Sequence, residues 1–270
     1  MRFRAPATTA NLGPGFDVAG AALELWNELE LEEGDGADER HLAVRAFSLY
    51  ASPAKWRFSF TDRIPRERGL GSSAAVVALG LVAGAWAASV EPSVEELLAA
   101  GLPLEGHADN LAPALAGGVC LTWNGHVARV ADSLPAAPIA VIPATRVSTA
   151  ASRGALPDSL PRADAVFTVA RAALLGAALA SGDASLFGAS ADDRLHEPYR
   201  AAAAPHLAEL RAALPDGALG ATLSGSGPTV IVWARPDARD RVAAELDARY
   251  AEHEIVPLPV SATGAGPADG

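Results

Sequence analysis

The sequence predicts an α+β protein built in two lobes, and three features point to it. Residues 56–60 alternate strictly, with Trp56, Phe58 and Phe60 on one side and Arg57 and Ser59 on the other, the period of a half-buried strand. Ser72 to Val90 is an uncharged run of 19 residues, rich in alanine and glycine, that reads as a helix buried on all sides. From Ile139 onward, helical runs and short apolar strands combine as helices laid on an antiparallel sheet. A proline-dotted segment at 133–138 separates the halves, giving lobes of 1–135 and 136–270.

Taken in order, residues 2–4 suggest a short strand cut off by Pro6, and 7–17, with Gly13, Pro14 and Gly15 among polar groups, an irregular loop. Ala21 to Leu31 alternates as a strand with Leu23, Leu25, Leu29 and Leu31 on one face. Gly34-Asp35-Gly36 is a turn, and 39–51 reads as a helix carrying Leu42, Ala46, Leu49 and Tyr50. Pro92-Ser93 starts another, with Glu95 and Glu96 in the first turn, where the helix dipole favours acids. Val119–Trp123 and Val127–Val130 form a hairpin across Asn124-Gly125. In the second lobe 139–142 is a strand and 164–180 an amphipathic helix with Val166, Val169, Ala173 and Leu174 recurring at helical spacing. Helices follow at 184–190, 205–214 and 237–251. Strands 219–223 and 229–233 pair through a glycine-serine turn, 254–260 closes the sheet, and 263–270 reads as a loose tail.

Composition narrows the functions. A net charge of −11 gives neither nucleic acid nor an anionic membrane the basic face it needs. Residues 72–90 are long enough to span a bilayer but are built of alanine and glycine without basic flanks, which argues for a core helix. The N-terminus carries no apolar signal region, so a cytoplasmic location is expected. The lone Cys120 cannot form an internal disulfide. Lys55, the one lysine, precedes the glycine loop and GxxxxGK[ST] is absent, so this is not a Walker-type loop.

Chemistry concentrates in a few stretches. In Pro65-Arg66-Glu67-Arg68-Gly69-Leu70-Gly71-Ser72-Ser73-Ala74-Ala75, two glycines let the backbone turn. Ser72 and Ser73 then open the long helix in the place of an N-cap serine. A glycine turn feeding a helix N-terminus offers free N–H groups and a positive dipole end, a seat for phosphate. A glycine-capped turn before a core helix has the same local signature. The turn Ser224-Gly225-Ser226-Gly227-Pro228 is either an ordinary hairpin turn or a brace for that loop, should the fold bring the two together. Glu105, His107, Asp109 and Asn110 lack the spacing of a zinc site; their oxygens suit Mg²⁺ beside a phosphate, or a solvated turn. Arg153 and Arg200 sit in polar, irregular segments, where an arginine is either a surface residue or a carboxylate clamp.

Together these motifs resemble those of the GHMP small-molecule kinases. The resemblance rests on Ala10-Asn11-Leu12-Gly13-Pro14-Gly15-Phe16-Asp17, the 65–75 loop and Leu223-Ser224-Gly225-Ser226-Gly227-Pro228, in that order. Within the superfamily the chain is most similar to the homoserine kinases. That follows from Asp17, from Glu105-Gly106-His107-Ala108-Asp109-Asn110 followed by Ala112-Pro113, from Asp193 to Arg200, and from the spacing of Thr149 and Arg153. The resemblance implies an N-terminal half like ribosomal protein S5 that binds ATP and a ferredoxin-like C-terminal half that completes the substrate cleft. It implies ATP-dependent phosphorylation of the L-homoserine side-chain hydroxyl, in threonine biosynthesis. By the same resemblance Pro65 to Ala75 wraps the ATP phosphates, and Ser73 and Glu105 hold Mg²⁺. Asn11 and Asp17 meet the substrate ammonium, His107, Arg153 and Arg200 its carboxylate, and Asn110 its reacting hydroxyl. A homodimer is compatible with it. Around residue 41 there is no clear counterpart of the family's adenine-side segment. Rival readings are a GHMP kinase for threonine, shikimate or mevalonate, or a non-catalytic binding module of the same fold. Asp17 with two arginines favours an amino acid over shikimate or mevalonate, which carry no ammonium.

Overall fold

The structure is a computed structural model and describes residues 1–147 and 149–268. The side chains of 149–151, and with them the expectation attached to Thr149, lie outside the described residues. The first lobe opens with β1 (Arg2–Ala10) and the long β2 (Ala19–Glu33). Pro6 does not end β1. The register shifts between Pro6 and Ala7, and at such an irregularity proline's missing N–H is tolerated, so the strand continues to Ala10 and the loop shrinks to 11–18. Of the helix expected over 39–51, only α1 (Leu42–Phe47) forms before a turn. β3 (Trp56–Thr61) follows, then α2 (Ser72–Ala87), α3 (Val94–Glu105) and α4 (Ala108–Ala116). Gly71, in left-handed conformation, is the N-cap of α2, and Ser72 is already inside the helix. α3 starts on a capping box in which Ser93 and Glu96 bond each other's backbone amides. β4 (Val119–Trp123) and β5 (His126–Ala131) form the expected hairpin.

The second lobe contains β6 (Ala137–Ile142), α5 (Thr149–Gly154), α6 (Arg162–Ser181), α7 (Ala184–Ser190), α8 (Glu197–Arg200), α9 (His206–Ala212), β7 (Ala218–Leu223), β8 (Val230–Ala234), α10 (Arg239–Arg249) and β9 (Glu254–Pro257), before β10 (Gly266–Pro267). Arg153 and Arg200 therefore stand on short helices, not in irregular chain. In α6, Val166 and Val169 are exposed; Thr168, Leu175 and Ala178 form its buried face instead. α6 is long and apolar enough by composition to cross a bilayer, yet it starts at Arg162 and carries Asp164 and Arg171.

Two antiparallel sheets result. One has the order β10-β1-β2-β4-β5 with β3 also on β2; the other is β7-β8-β6-β9. α2 is buried between the first sheet and its helical neighbours, which is why a sequence apolar all round suits it. Alternate residues of the second sheet face two cores. Ala140, Ile142, Ile231 and Trp233 join the main core, whereas Ile139, Val141, Val230 and Val232 pack beneath α9 and α10. As far as residue 268 the expected loose tail is held by backbone pairing: Phe3 and Arg4 of β1 register with Pro267 and Gly266.

Candidate active site

The cleft forms where the sheets' loops converge. Gly71 has φ +65°, and a Cβ there would sit 1.8 Å from Thr8 Oγ1, so only glycine lets the loop lie against β1. Gly69 (φ +78°) lies equally close to the 224–227 turn, where a Cβ would meet Ser224 O at 2.2 Å. That turn is a brace: Ser224 Oγ donates to Gly69 O at 2.6 Å, and Gly225 N donates to Ala10 O at 3.2 Å. The result is a helix N-terminus whose first amides open onto a recess of about 740 Å³.

Pro65, Glu67, Gly69, Leu70, Gly71, Ser72 and Ser73 line that recess. The rest of the loop does not. Ala74 and Ala75 are buried in the core as the first turn of α2 packs inward. Arg68 donates to the Pro143 carbonyl, and Arg66 pairs with Asp62. Arg66 also borders a neighbouring recess with Arg40, His41, Leu42, Ser72, Ser73 and Val76. No recognisable motif marks residues 40–42 as site residues; the packing of α1 on α2 brings them there.

Opposite the helix terminus stand the remaining candidates. Asn11 (φ +72°) is buried, donates through Nδ2 to Gly225 O at 3.0 Å and accepts the Asp17 amide at 3.1 Å. Asp17 Oδ1 lies 2.7 Å from Arg153 Nη2. Arg153 Nε donates to His107 Nε2 at 3.0 Å, and His107 Nδ1 lies 3.6 Å from Glu105 Oε1. The Glu105 carboxylate raises the His107 pKa. Asp109, buried beside them, has its carboxyl pushed up to about 6, first by burial and then by the Asp17 charge. Asn110 Oδ1 accepts from Thr8 Oγ1 at 2.8 Å, and its Nδ2 lies 3.5 Å from Asp109 Oδ1. Arg200 is buried; Nη1 donates to Gly225 O at 3.0 Å, and Nε has no partner among the described residues.

All six residues expected at the substrate end thus border one recess with the glycine loop. Among the described residues no three His, Cys, Asp or Glu side chains gather as a metal site. Glu105 Oε2, however, is buried without a hydrogen-bond partner at the edge of this recess, and the Ser73 hydroxyl lines it too. Oxygens of this kind suit a hard cation that takes few protein ligands.

Comparison with known proteins places the chain in a family. Residues 40–118 match the GHMP kinases N terminal domain and residues 175–252 the GHMP kinases C terminal model. Over 257 residues, 86% of each chain, the sequence is 41% identical to the homoserine kinase of Moorella thermoacetica. The chain belongs to the homoserine kinase family. The family's Desulfitobacterium hafniense homoserine kinase is 36% identical with 94% of each chain covered. The crystal structure of homoserine kinase from Cytophaga hutchinsonii superposes with a TM-score of 0.87 at 26% identity, covering 98% of this chain and 96% of that one. The two-lobed GHMP kinase fold expected from the motifs is therefore the fold of this homoserine kinase family member.

Proposed function

We propose that this chain transfers the γ-phosphoryl group of ATP to the side-chain hydroxyl of L-homoserine, giving O-phospho-L-homoserine for threonine biosynthesis. The observation that carries this reading is the Arg153–Asp17 pair at 2.7 Å, in the same recess as the α2 N-terminus. A zwitterionic amino acid presents an ammonium and a carboxylate about as far apart as these two side chains' own charges. Its ammonium replaces Arg153 on Asp17, and its carboxylate replaces Asp17 on Arg153. Arg200, whose Nε has no partner among the described residues, and His107 line the same recess. Bidentate, charge-assisted bonds of this type select a carboxylate over a neutral group.

The phosphate end is served by backbone. Free amides of the 69–73 turn and the dipole of α2 oppose the charge that spreads over the transferring group. Ser73 and Glu105 would hold Mg²⁺, which when bound neutralises phosphate charge. Asn110, its Oδ1 held by Thr8, offers Nδ2 to the acceptor hydroxyl and aligns it with phosphorus. In a loose transition state the hydroxyl proton leaves late, so alignment counts for more than an early base. The recess beside His41 and Val76 suits the nucleobase end of ATP. The enzyme so described acts on a small molecule in the cytoplasm.

An ADP-release assay across homoserine, threonine, serine, shikimate and mevalonate tests this. Homoserine should turn over far above the serine background; equal rates would overturn the substrate assignment. Arg153→Ala should raise the homoserine KM roughly 10- to 100-fold, the worth of a hydrogen bond to a charged group, and leave the KM for ATP in place. An unchanged homoserine KM would remove Arg153 from the clamp.

A further inference from the structure

His196 takes no part in the mechanism above and does not border the recess, yet it is the most enclosed titratable ring near it, with 0% exposure. We infer that His196 is a positioning residue for the substrate carboxylate, fixing the Arg200 guanidinium so that its free edge points at the substrate. The inference rests on the reading of Arg200 as part of the carboxylate clamp.

Three contacts carry it. His196 Nε2 lies 2.9 Å from the Gly13 carbonyl. A carbonyl can only accept, so Nε2 holds the ring proton and Nδ1 presents a lone pair. That lone pair receives Arg200 Nη1 at 3.1 Å. Phe16 stacks on the ring, with centroids 5.1 Å apart and planes 26° apart, and the Arg200 guanidinium carbon sits 5.3 Å from the Phe16 centroid. Nη1, shared between His196 and Gly225 O, is thereby used up. Nε stays buried without a partner among the described residues, on a side chain that lines the recess. An arginine held by one nitrogen keeps its other edge for a planar acceptor, and a carboxylate is that acceptor.

The backbone under the ring is fixed as well. Asp193 Oδ2 accepts the amides of His196 at 2.7 Å and Glu197 at 3.1 Å, and Asp193 Oδ1 accepts from Thr168 Oγ1 at 3.2 Å. Burial, the largest cause, lowers the His196 pKa to about 4, which keeps the ring in the neutral form the two hydrogen bonds require. Through Gly13 the same ring is tied to the 11–17 loop, on which Asn11 and Asp17 stand.

A residue that merely fills the core would lower the yield or melting temperature of a variant without changing which acceptor it prefers. The test therefore uses two acceptors in the full-length chain: homoserine, and 3-aminopropan-1-ol, which is homoserine without its carboxylate. His196→Leu removes both hydrogen bonds. His196→Asn places an amide oxygen where Nδ1 stands and so keeps the acceptor for Arg200, whereas His196→Gln reaches only the Gly13 side. For His196→Leu we expect kcat/KM for homoserine to fall about tenfold or more, mostly through KM, from loss of a bond to a charged group. The KM for ATP and kcat/KM for 3-aminopropan-1-ol should stay within about twofold, so the preference for homoserine falls by the same tenfold. His196→Asn should keep most of that preference and His196→Gln should lose it. If His196→Leu shows no melting transition, the Asn and Gln pair gives the same comparison. An equal loss for both acceptors, a loss for ATP, no loss at all, or Asn no better than Gln would overturn the inference. Arg200→Ala separates this from the reading beneath it. If Arg200→Ala leaves the homoserine KM unchanged, the clamp itself is wrong; if it raises KM while the His196 variants do not, only the positioning role fails.

Discussion

Thr8 is buried in β1, and its hydroxyl sets where Asn110 points, donating to Oδ1 at 2.8 Å. That bond fixes which way round the amide stands, and on the proposed reading its Nδ2, 3.5 Å from Asp109 Oδ1, serves the substrate hydroxyl. Thr8→Val keeps the shape and deletes the bond. A side chain free to swing by about an ångström loses on the order of tenfold or more in rate, so kcat should fall about tenfold while the KM for ATP holds. Stability should drop by roughly 1 kcal/mol. A kcat equal to that of the parent would show that Thr8 does not set Asn110. His206 gives a second test at this scale. Burial first, then the nearby His253, lowers its pKa from the ordinary 6.5 to about 4, and its Nε2 has no partner among the described residues. As pH falls the unfolded chain protonates first. The contribution of His206 is therefore complete above about pH 6.5 and is lost as pH falls toward 4. Urea titrations at pH 7 and pH 5 should show this slope, and His206→Gln should flatten it; an equal slope in both proteins assigns the loss to other groups. Of these residues Asn110 was legible in the sequence because it belongs to a motif. Thr8 was not, because its function depends on a partner more than a hundred residues away and no local pattern reports such a meeting. His196 lies in the Asp193–Arg200 stretch, four residues before Arg200, but the contact that fixes its ring proton is with Gly13, 183 residues away, and nothing local shows that.

At the scale of elements, the legible ones carry a strong local rule: the strict alternation of β3, the Asn-Gly turn between β4 and β5, the charge-free length of α2. Elements that were missed or misplaced obey a tertiary one. β1 passes Pro6 because β2 supplies a bulged partner. α4 holds Pro113 inside only nine residues and is stabilised by packing on β1, β2 and β4. Val166 and Val169 have helical spacing but point away from the core. Two helix glycines, one in α2 and one in α6, make a contrast. At Gly80 a Cβ would lie 2.1 Å from the Ala43 carbonyl of α1, whereas at Gly176 in α6 it would meet nothing within 4 Å. Alanine gains up to about 1 kcal/mol over glycine inside a helix, but forcing an atom into a packed helix crossing costs about 1–3 kcal/mol. Overpacking wins at 80, and propensity is unopposed at 176. Gly80→Ala should lower the urea midpoint and Gly176→Ala should raise it. Like-signed shifts would mean that the α1–α2 contact is not tight.

For the whole molecule the question is what holds two lobes in the register that makes one cleft, since Asp17, Ser73 and Glu105 come from the first and Arg200 and Gly225 from the second. Part of the answer lies beside the loop: Arg68 reaches the Pro143 carbonyl, Val147 N donates to Glu67 O at 3.0 Å, and Thr229 N donates to Arg68 O at 3.2 Å. The rest is the C-terminal segment, which leaves β9 in the second sheet and returns across the first. Leu258 N bonds Pro138 O at 3.0 Å, Pro259 O accepts Glu24 N at 2.9 Å, Ser261 bonds both Ala22 and Gly118, Ala265 N reaches Ala114 O at 2.7 Å, and β10 then pairs with β1. The sequence showed a strand to residue 260 but not the return across the first sheet, because 261–268 is built of small residues held by backbone groups, which every residue possesses. A chain ending at Pro257 keeps all the other strands of both sheets, β9 included, but loses this strap and uncovers the outer edge of β1. The lobes should then unfold less cooperatively, with a lower and broader melting transition, and the KM for homoserine should rise more than that for ATP. On the proposed reading ATP's phosphate seat lies mainly on the first lobe, whereas the homoserine pocket is shared between both. A truncated chain with the parent's melting curve and homoserine KM would show that the loop-side contacts alone hold the cleft together.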